Sequence, residues 1–385
     1  MPNPSPATTE QDEQQQQQSQ QPELIVIDYQ RLLQPYDDEL DALIEQAYGF
    51  HGLGVLAIRN VPNYITAREQ LLPLAYQFGN MEQSIKDKYI DEKSKYSFGW
   101  SHGKELLEGS SKPDLKKGSY YNNPLYNEPT TDQELITLFP GSLSPNIWPH
   151  DDLPQLETNF MGLGKIMCDT GTLLASICDA YVTKRNPTFP TNRLSDIIKT
   201  SKCGKARLLH YFPLTEQDVI ENQQDETKLS SWCGAHLDSG SLTALTSAMF
   251  FDNNGQQIPN PDPKAGLYIK SRSNDFVHVK IPADCLAFQI GECMQIHSGG
   301  MLLATPHMVR AANCPNVSRS TFACFMQPQY DYPMTTPQGT NQEHLLKGAS
   351  GETLPPGVPQ LLARWDIDGS QNYGQFAEKT FSMYY

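Results

Sequence analysis

The chain has 385 residues, 38% of them hydrophobic, and a formal net charge of −15. This length suits one large domain or two average ones, and the negative charge argues against a general nucleic-acid binder. The sequence lacks both an apolar run of about 18 residues and a charged-then-apolar start, so neither a membrane span nor secretion is expected. The eight cysteines form no CxxC pair, which disfavours zinc ribbons and fits a reducing compartment. We therefore expect a cytoplasmic protein.

Composition divides the chain into four regions. Residues 1–22 are rich in Gln, Ser and Pro and predict a disordered leader. Residues 23–200 predict a mixed but mainly helical region, and residues 201–334 predict a core of strands. Residues 335–385 begin as a Gly- and Pro-rich loop and predict a closing helix from Tyr373 onward.

The N-terminal region predicts strands and helices in alternation. Short apolar runs at 24–28 and 55–58 are typical of buried strands. Between them, apolar residues at 40, 43, 44 and 47 recur with helical spacing, and a second helix is predicted over 68–78.

A long loop follows these helices. Residues 95–127 are rich in Gly, Ser, Tyr and Asn and predict an ordered loop, after a short charged helix around 81–89. Within this loop, Tyr120 and Tyr121 are candidates either for a substrate pocket or for a packed surface. Apolar residues at steps of three and four then predict a long helix over 161–184.

Strand patterns dominate from residue 205. The predicted strands are 206–211, 233–245, 266–270, 276–281, 285–290, 301–305, 307–311 and 320–326. Many short strands without intervening helices indicate a double-sheet core. The predicted fold class is therefore α+β, with a double-stranded β-helix (jelly roll) core and a helical N-terminal half packed around it.

His236 and Asp238 are the first candidate site residues. They lie two positions apart in a predicted strand, so their side chains leave the same face. One imidazole and one carboxylate, joined by a second histidine, would make the 2-His-1-carboxylate triad that holds Fe(II) with open coordination positions. His278, His297 and His307 in the strand region, with His210 just before it, are available as the third ligand.

Arg319 and Thr321 are the second candidate pair. They share one face of the last predicted strand, so a guanidinium and a hydroxyl project side by side. Such a pair is suited to hold a carboxylate, which a 2-oxo acid chelating Fe(II) would present at its far end.

Together, His236-x-Asp238, the distant His307 and Arg319-x-Thr321 resemble the signature of the Fe(II)/2-oxoglutarate-dependent dioxygenases, and more narrowly their isopenicillin N synthase-like branch. The resemblance extends over about residues 23–385 and includes Gly291-Glu292. It implies that His236, Asp238 and His307 bind Fe(II), with His297 as the main rival of His307. It also implies that Arg319 and Thr321 bind the far carboxylate of 2-oxoglutarate.

The chain departs from the family pattern at two positions. Thr321 stands where the family usually has serine, which keeps the hydroxyl. Phe212 stands where the family often has a tyrosine that binds 2-oxoglutarate, so Tyr211 or His210 would have to replace that tyrosine.

The resemblance implies an oxygenase that uses O2 and 2-oxoglutarate, releases succinate and CO2, and oxidises a C–H bond of a small organic molecule, most commonly by hydroxylation. Nucleic-acid and membrane partners are not expected, and the sequence does not define the oligomeric state. Three alternatives stay open: an isopenicillin N synthase-like oxidase without 2-oxoglutarate, a non-catalytic jelly-roll binding protein, and a hydroxylase that acts on a partner protein.

Overall fold

The structure, a computed structural model, describes residues 23–104, 114–224, 231–347 and 354–384. The predicted leader over 1–22 lies outside these residues. The described chain is a mixed α and β structure in which helices cover a large, mainly antiparallel sheet, as the sequence predicts. No described helix combines the length and apolarity needed to cross a membrane.

The large sheet has ten strands and draws on both halves of the chain. The strands are β1 (Ile25–Asp28), β2 (Val55–Arg59), β3 (Gly99–His102), β4 (Lys117–Asn122), β5 (Lys205–Tyr211), β7 (Leu242–Thr246), β8 (Met249–Phe251), β9 (Gln257–Ile258), β12 (Cys285–Ile290) and β14 (Ser318–Met326). The main path of the sheet runs β1-β2-β12-β7-β14-β5-β4-β3, with β8 pairing β14 and β9 pairing β8. β1 and β2 are parallel, and their neighbours pair antiparallel.

A smaller sheet carries four strands. They are β6 (Ser231–His236), β10 (Gly266–Lys270), β11 (Phe276–Val279) and β13 (His307–Arg310). Their order in the sheet is β11-β10-β13-β6. The predicted hairpin is confirmed, because β10 and β11 pair antiparallel. Buried residues of both sheets pack together, with Ile269 of the small sheet beside Ala287 of the large one.

The described residues also form α-helices and 3₁₀ turns. They are α1 (Tyr29–Leu32), α2 (Asp38–Tyr48), α3 (Tyr64–Gly79), α4 (Gln83–Lys86), α5 (Gln133–Leu138), α6 (Pro140–Leu143), α7 (Gln155–Arg185), α8 (Arg193–Thr200), α9 (Glu216–Gln224), α10 (Glu292–His297), α11 (Gln342–Leu346) and α12 (Tyr373–Tyr384), with 3₁₀ turns at Asp87–Tyr89 and Leu361–Ala363. The two longest helices, α3 and α7, pack against the large sheet.

The long helix α7 lies flat on the sheet, as its periodicity predicts. Phe160 of α7 packs edge-on against Phe322 of β14, with ring centres 4.8 Å apart. Gly171 permits the close approach, because a Cβ there would lie 2.4 Å from the sulfur of Met326. Lys184 and Arg185 fall in the last turn, where positive charge favours the helix dipole.

The structure corrects three predicted elements. Residues 95–127 are not a continuous loop, because they contain β3 and β4. Residues 233–245 form two strands, β6 and β7, separated by the turn that carries Asp238. Residues 301–305 form no strand, although β13 follows them directly.

Candidate metal centre and its pocket

The small sheet brings the two predicted histidine ligands together. β6 and β13 pair antiparallel, and His236 is the cross-strand partner of His307. Their ring centres are 4.2 Å apart. Both residues stand at strand ends next to the turn that carries Asp238, so strand pairing places three side chains from distant sequence positions at one point.

Asp238 completes the cluster. Its Oδ1 lies 3.7 Å from Nε2 of His236 and 3.8 Å from Nε2 of His307. One ligand atom from each residue lies within 4.8 Å of the other two. Asp238 Oδ2 is buried without a hydrogen-bond partner. A buried carboxylate oxygen without a partner is costly unless a cation occupies the site.

The Nδ1 atoms of both histidines have other partners. His236 Nδ1 lies 2.9 Å from the carbonyl oxygen of Gly234, and His307 Nδ1 lies 3.3 Å from that of Thr305. The side-chain nitrogen of Gln289 lies 2.5 Å from the same Nδ1 of His307. Rotating the amide by half a turn exchanges its nitrogen and oxygen, so that the oxygen can accept a hydrogen bond from Nδ1. A proton on each Nδ1 leaves the Nε2 atom of each ring unprotonated on the side of Asp238. This tautomer is the one that can bind a metal through Nε2.

The protonation of the two histidines differs. Burial lowers the pKa of His307 to about 4, so this ring is neutral near pH 7. At His236 burial is opposed by Cys233 and Asp238, and the pKa of His236 rises to about 9. Because only a neutral imidazole coordinates a metal, a cation bound here would displace the proton from His236.

The other predicted histidines lie elsewhere. His297 is fully buried in α10, where Nε2 lies 3.2 Å from the Pro333 carbonyl oxygen. His278 stacks on Tyr268 in the small sheet, with ring centres 4.6 Å apart. Among the residues described, the His, Cys, Asp and Glu side chains arranged to hold a metal are His236, Asp238 and His307.

Arg319 lies on the inner face of the large sheet. It is 8% exposed and stands opposite Tyr211 in the β14–β5 pairing. Its guanidinium carbon is 5.1 Å from the ring centre of Tyr211 and 5.7 Å from that of Trp232. Its Nε and Nη1 atoms are buried without a hydrogen-bond partner. Burial lowers the pKa of Arg319, and Tyr211 opposes this shift.

Thr321 shares the Arg319 face and is buried. Its Oγ1 lies 3.2 Å from Oγ1 of Thr246 and 3.3 Å from the Thr246 carbonyl oxygen. The hydroxyl is therefore held on the inner face two residues from the guanidinium. The structure brings Arg319, Thr321 and Tyr211 together.

The structure places His210 away from Arg319. This residue lies on the opposite face of β5, pairs with Ser320 and packs under α3 against Tyr76. Burial lowers the pKa of His210 to about 3. Phe212 follows the strand and contacts His210 and His102 rather than Arg319. Of the two predicted replacements for the missing tyrosine, Tyr211 alone faces Arg319.

A cavity of about 440 Å³ lies beside the triad. His236 and Asp238 form one part of its wall, and Trp232, which contacts Arg319, borders it as well. Tyr121 also lines the cavity, whereas Tyr120 is buried in the core. α12 contributes Tyr373 and neighbouring residues, so the C-terminal helix covers this pocket. The sequence does not predict that contribution.

A second buried arginine ties the C-terminal segment to the triad. Arg364 forms a two-pronged ion pair with Glu292 at 2.7 and 2.5 Å, and both side chains are essentially unexposed. The backbone N–H of Glu292 donates to the Asp238 carbonyl oxygen at 2.8 Å. Arg364 thereby supports the turn that carries Asp238. The resemblance in sequence includes Gly291-Glu292, so it marks Glu292 but not its partner Arg364.

No protein-family model and no curated protein sequence matches the chain. Solved structures do match. A full-length Neurospora crassa protein in complex with alpha-KG aligns with a TM-score of 0.65 at 17% identity, over 95% of this chain and 97% of that one. A 2OG-Fe(II) oxygenase family protein from Caulobacter crescentus, described as putative, aligns with a TM-score of 0.62 at 17% identity, over 93% and 98%.

JOX2 in complex with 2OG, Fe and JA aligns with a TM-score of 0.55 at 17% identity, over 93% of this chain and 89% of that one. At such identities the likeness concerns the fold. The chain therefore shares the overall fold of these 2OG-Fe(II) oxygenase structures.

Proposed function

We propose that the protein is an Fe(II)- and 2-oxoglutarate-dependent oxygenase that oxidises a C–H bond of a small organic molecule. The reaction would release succinate and CO2, and hydroxylation is its most common form in this class. The proposed fold of the core is the double-stranded β-helix, formed mainly by residues 201–334. Residues 23–200 would pack around it, and residues 335–385 would close it.

The observation that carries the proposal is a set of buried polar atoms without hydrogen-bond partners. Asp238 Oδ2, in the cluster with His236 and His307, calls for a cation, and Nε and Nη1 of Arg319 call for an anion. Trp232 borders the cavity beside the triad and contacts Arg319. Fe(II) with a diacid co-substrate would satisfy both groups.

The proposed roles follow from these contacts. His236, Asp238 and His307 would hold Fe(II), which when bound supplies the activation of O2. Arg319 would bind the far carboxylate of 2-oxoglutarate through its planar fork, with Thr321 and Tyr211 beside it. The protein would orient both ligands and exclude water from the pocket.

The similar structures support a small-molecule substrate. The Neurospora crassa protein has been crystallised with thymine and with 5-formyluracil. Another similar structure, from rice, is of a dioxygenase for auxin oxidation. A cavity of about 440 Å³ in this chain suits a molecule of that size class.

Iron binding tests the proposed ligands. Asp238→Ala removes the anionic ligand and should abolish tight Fe(II) binding, measured by anaerobic titration. His297→Ala is the matched control, because His297 is a buried histidine outside the cluster, and it should retain the metal. Unchanged iron affinity in Asp238→Ala would refute the assignment.

Succinate release tests the co-substrate. Succinate formed in proportion to the O2 consumed supports the oxygenase, whereas substrate oxidation without succinate would indicate the isopenicillin N synthase-like oxidase.

A further inference from the structure

The cavity beside the triad has a second end, away from Arg319. Lys205 and Arg207 of β5 line this end. Leu209 and Tyr211, further along the same face of β5, pack in the core beside Trp232. One face of β5 therefore extends from Lys205 to Tyr211, which lies opposite Arg319.

The other lysines and the arginine that line the cavity are already engaged. Lys95 pairs with Glu378 at 3.0 Å, and Lys117 pairs with Asp114 at 3.4 Å. Arg207 donates from Nε to Ser119 Oγ at 2.9 Å, and its guanidinium lies over a tyrosine ring. These side chains hold the wall together.

Lys205 differs from Lys95 and Lys117. Its Nζ donates to the Gly141 carbonyl oxygen and lies 5.6 Å from the ring centre of Phe98. Within the described ranges, no carboxylate forms an ion pair with it. Burial lowers the pKa of Lys205 to about 8, as expected for an ammonium without a counter-ion. An ammonium has three donors, so one carbonyl leaves capacity for an anionic ligand.

Lys205 and Arg319 are too far apart to share one ligand. Lys205 and Tyr211, the partner of Arg319, are six residues apart on β5, which corresponds to roughly 20 Å along an extended strand. A five-carbon diacid is much shorter than this separation. If Arg319 binds 2-oxoglutarate, the anion at Lys205 belongs to another molecule.

Apolar side chains form part of the cavity wall between Lys205 and the triad. Phe325 is the cross-strand neighbour of Lys205, and Leu237 lies between the ligands His236 and Asp238. Tyr373 and Phe381 add aromatic surface where α12 lines the cavity. A bound molecule would thus meet a charge at one end and apolar surface along its body.

We propose that the substrate is an amphipathic carboxylic acid whose carboxylate binds Lys205 while its apolar body extends toward the triad. This inference rests on the proposed function for the position of the oxidised carbon. A carboxylate fits better than a phosphate dianion, because Lys205 supplies a single positive charge that no described carboxylate neutralises.

The test compares acids with their neutral amides. Hydrocinnamate, octanoate and naphthylacetate, each beside its primary amide, are titrated calorimetrically into the full-length protein, with and without Fe(II) and 2-oxoglutarate under nitrogen. Wild type should bind at least one acid more tightly than its amide. Lys205→Met should weaken acid binding on the order of tenfold or more and leave amide binding unchanged.

Two variants control this result. Lys205→Arg keeps the charge and should retain most of the preference for the acid. Lys95→Met removes a paired cation from the same wall and should change acid binding by less than about threefold. Retained amide binding in Lys205→Met shows that the pocket is folded.

The inference is overturned if no acid is preferred over its amide, if Lys205→Met keeps the preference, or if Lys95→Met abolishes it equally. The visible absorption of the Fe(II)–2-oxoglutarate complex, recorded on the same samples, tests the proposed function separately. If this band forms normally but no acid is preferred over its amide, the carboxylate site at Lys205 is rejected, whereas the proposed function is not.

Discussion

Arg319 and Arg364 are both buried arginines, but their surroundings are opposite. Arg364 is 1% exposed and shares two hydrogen bonds with the Glu292 carboxylate. Arg319 is 8% exposed and lies against the rings of Tyr211 and Trp232, with Nε and Nη1 unpartnered. No described carboxylate forms an ion pair with Arg319.

The difference separates a structural charge from a functional one. Burying an ion costs several kcal/mol, and a fixed partner such as Glu292 offsets this cost permanently. Among the described residues, Arg319 has no carboxylate partner of this kind. Its charge is therefore best compensated by an anionic ligand. The sequence singles out Arg319 through its register with Thr321, but it gives no sign that Arg364 pairs with Glu292.

The largest expected effect is on stability at Arg364. Arg364→Leu leaves Glu292 buried without its partner and should lower the free energy of unfolding by about 3–5 kcal/mol, measured by urea denaturation. Glu292→Gln combined with Arg364→Leu should recover part of the loss. A loss below about 1 kcal/mol in the single variant would mean that the pair is not a structural support.

Arg319 should show the reverse pattern. Arg319→Lys keeps the charge but loses the planar fork, which should cost on the order of 2–5 kcal/mol in 2-oxoglutarate binding, or roughly thirtyfold or more. Arg319→Met should unfold at the same urea concentration as wild type or a higher one, because it removes an uncompensated buried charge. Marked destabilisation of Arg319→Met would place this residue in the same category as Arg364.

Thr321 should contribute less than Arg319. Thr321→Ala removes one neutral hydroxyl from the proposed carboxylate site and should weaken 2-oxoglutarate binding by about 0.5–1.5 kcal/mol. Iron affinity should stay unchanged, because Thr321 is not part of the metal cluster. Thr321→Ser, which keeps the hydroxyl, is the matched control and should bind 2-oxoglutarate nearly as wild type does.

The smallest expected effect is at Phe212. Phe212→Tyr restores the residue type common in the family, but this ring lies with His102 and His210, away from Arg319. The 2-oxoglutarate affinity should therefore stay within about twofold of wild type. A clear gain in affinity would show that Phe212, rather than Tyr211, marks the co-substrate site.

Much of the site could be predicted because its residues follow local rules. Arg319-x-Thr321 places two side chains on one face of β14, and this period of two is visible in any sequence. His236 ends β6, and Asp238 follows two residues later in the connecting segment. Apolar periodicity likewise predicts α7 and the strands on either side of the triad. The structure gathers His236, Asp238 and His307 into one cluster, as the resemblance implies.

Other features depend on pairing between distant segments. β3 and β4 are rich in Gly, Ser and polar residues, and they become strands by extending the sheet beyond β5. The choice between His210 and Tyr211 depends on strand register, because a shift of one residue moves every side chain to the other face. The contact of Arg364 with Glu292 joins residues far apart in sequence and has no local pattern.

The most direct test of the account is an anaerobic titration of the Fe(II)-loaded protein with 2-oxoglutarate, followed by visible absorption. Wild type should show a weak charge-transfer band that saturates with 2-oxoglutarate. In Arg319→Lys the band should form only at much higher concentration, and in Asp238→Ala it should be absent. Absence of the band in wild type at millimolar 2-oxoglutarate would contradict the proposal that the triad and Arg319 form one co-substrate site.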